Sequence, residues 1–133
     1  MKNFIEVFDN ALRPEECKTI IDFMNQDGML NPGCVTTKEG KGVKPEYKDD
    51  LEVTLIADSI PQLKTEGQLK VDILMGERLS IYTTEYVNIH PQLGGIAPWT
   101  IHSRYNLQKY APGQGYHTPH CECCSLKTNE RIL

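Results

Sequence analysis

No run of apolar residues in this chain approaches the roughly 20 that a bilayer-spanning helix needs. A membrane-spanning helix is therefore not expected. Met1-Lys2-Asn3-Phe4 does not lead into the apolar segment of a signal peptide, and no leader is expected either. An excess of positive charge is also missing: 14 Lys and Arg against 18 Asp and Glu leave a net charge of -4, with the lysines scattered rather than gathered on a stripe. That balance argues against nucleic acid and anionic membrane as partners. Cysteine is sparse and unevenly placed, with five in all and three of them between Cys121 and Cys124. Such spacing makes no disulfide framework and suits a reducing compartment, so a cytoplasmic location is expected. There is no internal repeat and no low-complexity segment. A length of 133 residues fits one domain with one small core, and a single domain over 1–133 is expected.

Along the chain the apolar pattern alternates between two periods. Phe4, Ile5, Val7 and Phe8 predict a short strand that ends at Asp9-Asn10. A helix follows, because Pro14 suits the first helical position, Glu15 and Glu16 complement the positive end of the helix dipole, and Cys17, Ile20, Ile21 and Met24 recur at helical spacing. Gly28 ends it. Arg13 falls at the N-cap, where it is a poor capper, so that end is expected either to fray or to be satisfied by another group. From Asn31 to Asp50 the chain is polar and rich in Gly, Pro and Lys, which predicts a long surface loop. Leu51, Val53, Leu55 and Ala57 alternate with Glu52 and Thr54, the pattern of a half-buried strand. Asp58-Ser59-Ile60-Pro61 turns into the longest periodic segment, Leu69 to Ile89, in which Val71, Leu74, Met75, Leu79, Tyr82, Tyr86 and Ile89 form one core-packing stripe. His90-Pro91 ends that helix and Gly94, Gly95 and Pro98 continue as loop. His90 and His102 read as solvated loop residues, and Trp99 with Ile101 opens the next extended run.

The stretch richest in chemistry is Tyr105 to Cys124. Leu107, Lys109 and Tyr110 read as a strand end, and Ala111-Pro112-Gly113-Gln114-Gly115 as a turn, since Pro fixes φ and Gly permits positive φ. Pro119 disfavours helix at Thr118, so His117 and His120 do not share a helical face. In an extended chain His120 and Glu122 point to one side and Cys121 to the other. One imidazole and one carboxylate so placed supply part of the 2-His-1-carboxylate set that binds Fe(II) on one face. A competing donor set for zinc is His117, His120, Cys121, Cys123 and Cys124, but it crowds into one run without the second ligand pair that a structural zinc site uses.

The pattern Tyr110-x-Pro112-Gly113-x-Gly115-Tyr116-x-x-x-His120-x-Glu122 resembles the first metal motif of the 2-oxoglutarate and Fe(II)-dependent oxygenases, in particular their prolyl 4-hydroxylase-like branch. Phe8-Asp9-Asn10-Ala11-Leu12-x-Pro14-Glu15-Glu16-Cys17 is similar to the segment that leads into the first helix of that branch. Glu122 stands where the family more often has Asp. The resemblance implies an α+β fold in which N-terminal helices pack on a jelly-roll, the double-stranded β-helix, with this chain carrying its N-terminal portion. It implies Fe(II) held by His120 and Glu122, and 2-oxoglutarate with a carboxylate on the Tyr110 hydroxyl. The activity implied is hydroxylation of a peptide or small-molecule substrate. After Glu122 there is no further histidine, so the family's distal ligand is not in this chain and no catalytic residue is assigned. Two expectations follow, that the chain is inactive alone and that it pairs with itself through open sheet edges. A non-catalytic jelly-roll module and a Cys/His zinc protein are the competing readings.

Overall fold

The computed structural model of the chain describes residues 4–56, 61–95 and 100–119. In chain order the elements are α1 (Pro14–Met24), β1 (Asn31–Pro32), β2 (Val35–Thr37), β3 (Gly40–Gly42), β4 (Lys48–Asp49), β5 (Leu51–Ile56), α2 (Glu66–Ile89), β6 (Arg104–Lys109) and β7 (Gly115–Tyr116), with short 3-10 turns at Pro61–Leu63 and Pro91–Gly95. The fold is α+β, built from helices and small antiparallel sheets. These divide into two compact units, one from the described parts of Met1–Leu30 and Val53–Leu107, the other from those of Asn31–Glu52 and Gln108–Leu133.

The first unit owns the apolar core. Phe23 and Met24 of α1, Leu55 of β5 and Val71 of α2 are buried together, with Ile20, Met29, Leu30, Val53, Met75, Tyr105 and Leu107 packed around them. Within this unit the later residues of β5 neighbour β6, and the Thr54 hydroxyl donates to Asn106 Oδ1 at 2.9 Å. α1 begins at Pro14 as its spacing requires, and Gly28 follows its end in the left-handed region at φ 72°. The weak cap at Arg13 is repaired from inside the helix: Glu16 Oε2 accepts the Arg13 backbone N–H at 2.8 Å. The same carboxylate takes the guanidinium of Arg13 at 2.6 Å and that of Arg78 on α2 at 2.5 Å, which ties the helices together. These bonds, Arg13 first, hold the Glu16 carboxyl down at about 2. Ile21, counted in the apolar spacing of α1, faces solvent.

α2 starts at Thr65, whose hydroxyl accepts the Gln68 N–H at 3.2 Å. Its apolar stripe is in phase with the core, but Val71 alone in that stripe is buried; Leu74, Met75, Tyr82 and Tyr86 are half-buried, and Leu79 and Ile89 are exposed. A buried polar tie replaces apolar packing near its start. Asp72 accepts Lys64 Nζ at 2.6 Å and the Tyr105 hydroxyl at 2.6 Å, and burial with the adjoining carboxylate pushes the Tyr105 phenol well above its ordinary range.

Two expectations in this unit need correction. Phe4 to Phe8 forms no strand; Phe4 lies against His90 and Phe8 against Tyr82, while Ile5 and Val7 are 74% and 80% exposed. Among the described residues no strand pairs with the segment, and the Phe4 carbonyl accepts the Tyr86 hydroxyl at 2.6 Å. His90 is not solvated but 1% exposed, because Phe4 and Tyr86 cover its ring and Glu6 Oε1 reaches its Nε2 at 2.9 Å. His102 is exposed, as its loop position predicts, and its Nδ1 accepts the Arg104 N–H at 3.0 Å.

The second unit overturns the reading of Asn31 to Asp50 as plain loop. β1 pairs with the first residues of β5 (Asn31 opposite Glu52, Pro32 opposite Leu51), and β2 with β3 forms a hairpin closed at Thr37 and Gly40. β4 pairs with β7, placing Lys48 opposite Tyr116 and Asp49 opposite Gly115. The strands are too short to show as period-2 apolar patterns. The register of the β2–β3 hairpin comes from the turn at Gly40, which sits at φ 113°, and from Thr37 Oγ1, which accepts Glu39 N–H at 3.2 Å and Lys44 Nζ at 3.1 Å.

Candidate functional site

Tyr110 is the residue directly after β6, and the chain reverses beyond it as the sequence predicts. Pro112 and Gly113 sit at the centre of the turn, Gly113 adopts φ 88°, and Gln114 N–H donates to Ala111 C=O at 3.0 Å. β7 then resumes in register with β4, and His117 N–H donates to Tyr47 C=O at 2.8 Å. Tyr116, opposite Lys48, therefore projects from the same side of this small ladder as Lys48.

A buried charge cluster adjoins the turn. Lys48 Nζ is 2.5 Å from Glu52 Oε2 and 3.1 Å from Asp50 Oδ2, and the side chains of Lys48 and Asp50 are 4% and 0% exposed. Burial alone would lower the Lys48 ammonium, but the contacts with Glu52 and Asp50 outweigh it and raise its pKa. Burial would likewise raise Glu52; Lys48, the Cys34 N–H at 3.2 Å and Gln108 prevail and lower it. Asp50 is different, since neither carboxylate oxygen accepts a well-aligned hydrogen bond from the described residues. It is admitted at all because Gly33 has no side chain: a Cβ there would lie 1.7 Å from Asp50 Oδ1. Gly33 N–H also donates to Asp50 C=O at 3.0 Å, which fixes the root of the hairpin against the cluster.

The Tyr110 side chain feels this cluster. Its phenol is raised first by burial and then by the charge of Asp50, with Lys48 opposing and Glu52 adding. It stays protonated, a donor, and its hydroxyl has no hydrogen-bond partner among the described residues while the side chain is 39% exposed. A free, neutral donor on a half-open surface fits a carboxylate ligand.

Of the residues singled out from the sequence, Tyr110 and the turn lie in this site. His120 and Glu122, the expected metal ligands, lie outside the described residues, as do Cys121, Cys123 and Cys124. His117 is exposed one residue beyond β7. Among the described residues no group of three or more His, Cys, Asp or Glu side chains is arranged to hold a metal. Sequence reading missed Lys48, Asp50, Glu52, Gly33 and Gln114. The signal was there in part, because Lys48 and Asp50, at the end of the segment read as loop, continue at period two into Glu52 of the predicted strand. No family model, curated protein or solved structure matches this chain.

Proposed function

We propose that the chain carries part of a 2-oxoglutarate and Fe(II)-dependent hydroxylase scaffold, the first strands of a jelly-roll, with His120 and Glu122 as metal ligands and Tyr110 as the anchor for a cosubstrate carboxylate. The observation that carries the reading is the strand, Pro-Gly turn and returning strand that present the Tyr110 hydroxyl, without a hydrogen-bond partner among the described residues, a few positions ahead of His120-x-Glu122 in the sequence. Bound Fe(II) with 2-oxoglutarate supplies oxidising power toward an unactivated C–H bond of a peptide or small molecule. The chain's own part is to hold and orient. Tyr110 donates to the carboxylate from a phenol that its neighbours keep protonated. Asp50 and Glu52, less Lys48, leave one net negative charge near that hydroxyl, so a dianionic cosubstrate would need a bound cation beside it.

Calorimetric titration of Mn(II), a redox-quiet substitute for Fe(II), tests the ligand assignment. Weak binding by the wild type that is lost in His120→Ala and in Glu122→Ala is the expected result. Equal heats in the wild type and His120→Ala would remove His120 as a ligand and the reading with it.

A further inference from the structure

We propose that Gln114 is a positioning residue for Tyr110 that acts through the backbone of Ala111; the inference rests on the reading of Tyr110 as cosubstrate anchor. The Gln114 side chain spans the turn in two directions. Its Oε1 accepts the Ala111 N–H at 2.6 Å, and its Nε2 donates to Asp49 Oδ1 at 3.0 Å. Its backbone N–H donates to Ala111 C=O at 3.0 Å, so the residue next to Tyr110 is gripped at both of its backbone polar groups by one side chain and its own main chain.

Among the described residues the rest of the turn shows no second grip of this kind. Ala111, Pro112 and Gly113 are exposed, and a Cβ built at Gly113 would meet nothing within 4 Å. Pro112 and Gly113 thus set the shape of the turn but not its attachment. Asp49, the far end of the tether, is itself fixed opposite Gly115 in the β4–β7 ladder. On the other flank of Tyr110, Gln108 hydrogen-bonds Glu52. Tyr110 therefore sits between two glutamines, each bonded to the 48–52 segment. A carboxamide is the chemistry this needs, with an acceptor at one end and a donor at the other. Glutamate at this position would keep the Ala111 bond but set a second carboxylate against Asp49, and alanine would free the Ala111 N–H.

The test compares the wild type with Gln114→Ala, Gln114→Glu and Asp49→Asn, the last keeping a carbonyl for the Gln114 amide. Amide exchange over residues 110–116 and the ring-carbon resonance of Tyr110 are read without ligand. Binding of 2-oxoglutarate is then read in the presence of Mn(II). Both Gln114 variants are expected to speed exchange in the turn and shift the Tyr110 resonance while α1 and α2 keep their protection, and to weaken 2-oxoglutarate binding about 10-fold. Asp49→Asn is expected to follow the wild type. An unchanged Tyr110 resonance and unchanged turn exchange in Gln114→Ala would overturn the proposal, as would loss of protection throughout α1 and α2. A wild type that binds no 2-oxoglutarate, with Tyr110 still displaced in Gln114→Ala, would uphold the positioning role and remove the cosubstrate assignment.

Discussion

Gly33 shows how one missing side chain decides a local structure. The space its Cβ would need is filled by the Asp50 carboxylate, with Lys48 Nζ 3.0 Å from the same point. Gly33→Ala is therefore expected to cost about 1–3 kcal/mol, the usual penalty of forced overpacking, and to loosen the hairpin root. Chemical denaturation of the wild type and the variant checks it, with an unchanged midpoint counting against the packing seen here. Glu16 gives a pH test. Its folded value of about 2 lies below the ordinary 4.5, so its contribution to stability is full above the unfolded value and is lost as pH falls from about 4.5 toward 2. Thermal melts of the wild type and Glu16→Gln should differ near neutral pH and converge across that acid window. A gap that persists below pH 2 would show that the carboxylate's charge is not what Glu16 contributes.

The helices were legible because their signals are local. Pro14, the acidic first turn and the spacing of Ile20 and Met24 set α1, and the reach of Glu16 back to the Arg13 N–H supplies the cap that Arg13 lacks. Burial along α2 was less legible, since periodicity gives the phase of a helix and not how far its partners extend. Leu55 lies where that coverage is complete, at 1% exposure, and Leu55→Ala is expected to destabilise by about 2–5 kcal/mol as measured by denaturant midpoint. The segment before α1 meets α2 through the ring contacts of Phe4 and Phe8 and through the Phe4 carbonyl. Tyr86→Phe removes the bond to Phe4 C=O, and faster exchange or proteolysis over residues 4–8 with α1 unaffected is the expected outcome. The hairpin β2–β3 escaped the sequence reading for the opposite reason: its strands carry polar residues on both faces, so its register is set by the turn at Gly40 and by Thr37 rather than by an apolar face.

The two units differ in what holds them. The first has Phe23, Met24, Leu55 and Val71 buried together, whereas in the second Val35 is the buried apolar side chain among the described residues and the interior is filled by Lys48 and Asp50. Such an interior leaves apolar groups outside, with Val43 52%, Leu51 40% and Tyr116 40% exposed. In the first unit Ile21, Ile73 and Ile81 are half or more exposed at 55%, 54% and 50%. Surfaces of this kind favour association, and the chain is expected to pair with itself. Light scattering on the purified chain decides it: a monodisperse monomer at all concentrations contradicts the expectation.

By itself the sequence determined the elements whose cause lies within a few residues of the chain: the start of α1 at Pro14, the body of α2 and its end before His90, the strand that leads up to Tyr110, and the turn after it. Tyr110, His120 and Glu122 belong together only through the resemblance of their spacing to the oxygenase motif, and that grouping is the proposal above. Tertiary structure decided what depends on residues far apart. Glu52 meets the Cys34 N–H, Asp50 occupies the space left by Gly33, Gln114 reaches Asp49, and Glu6 meets His90. The physical reason is that a buried charge or amide is satisfied by whatever donor the fold brings near, and no periodicity in the chain encodes which one that will be.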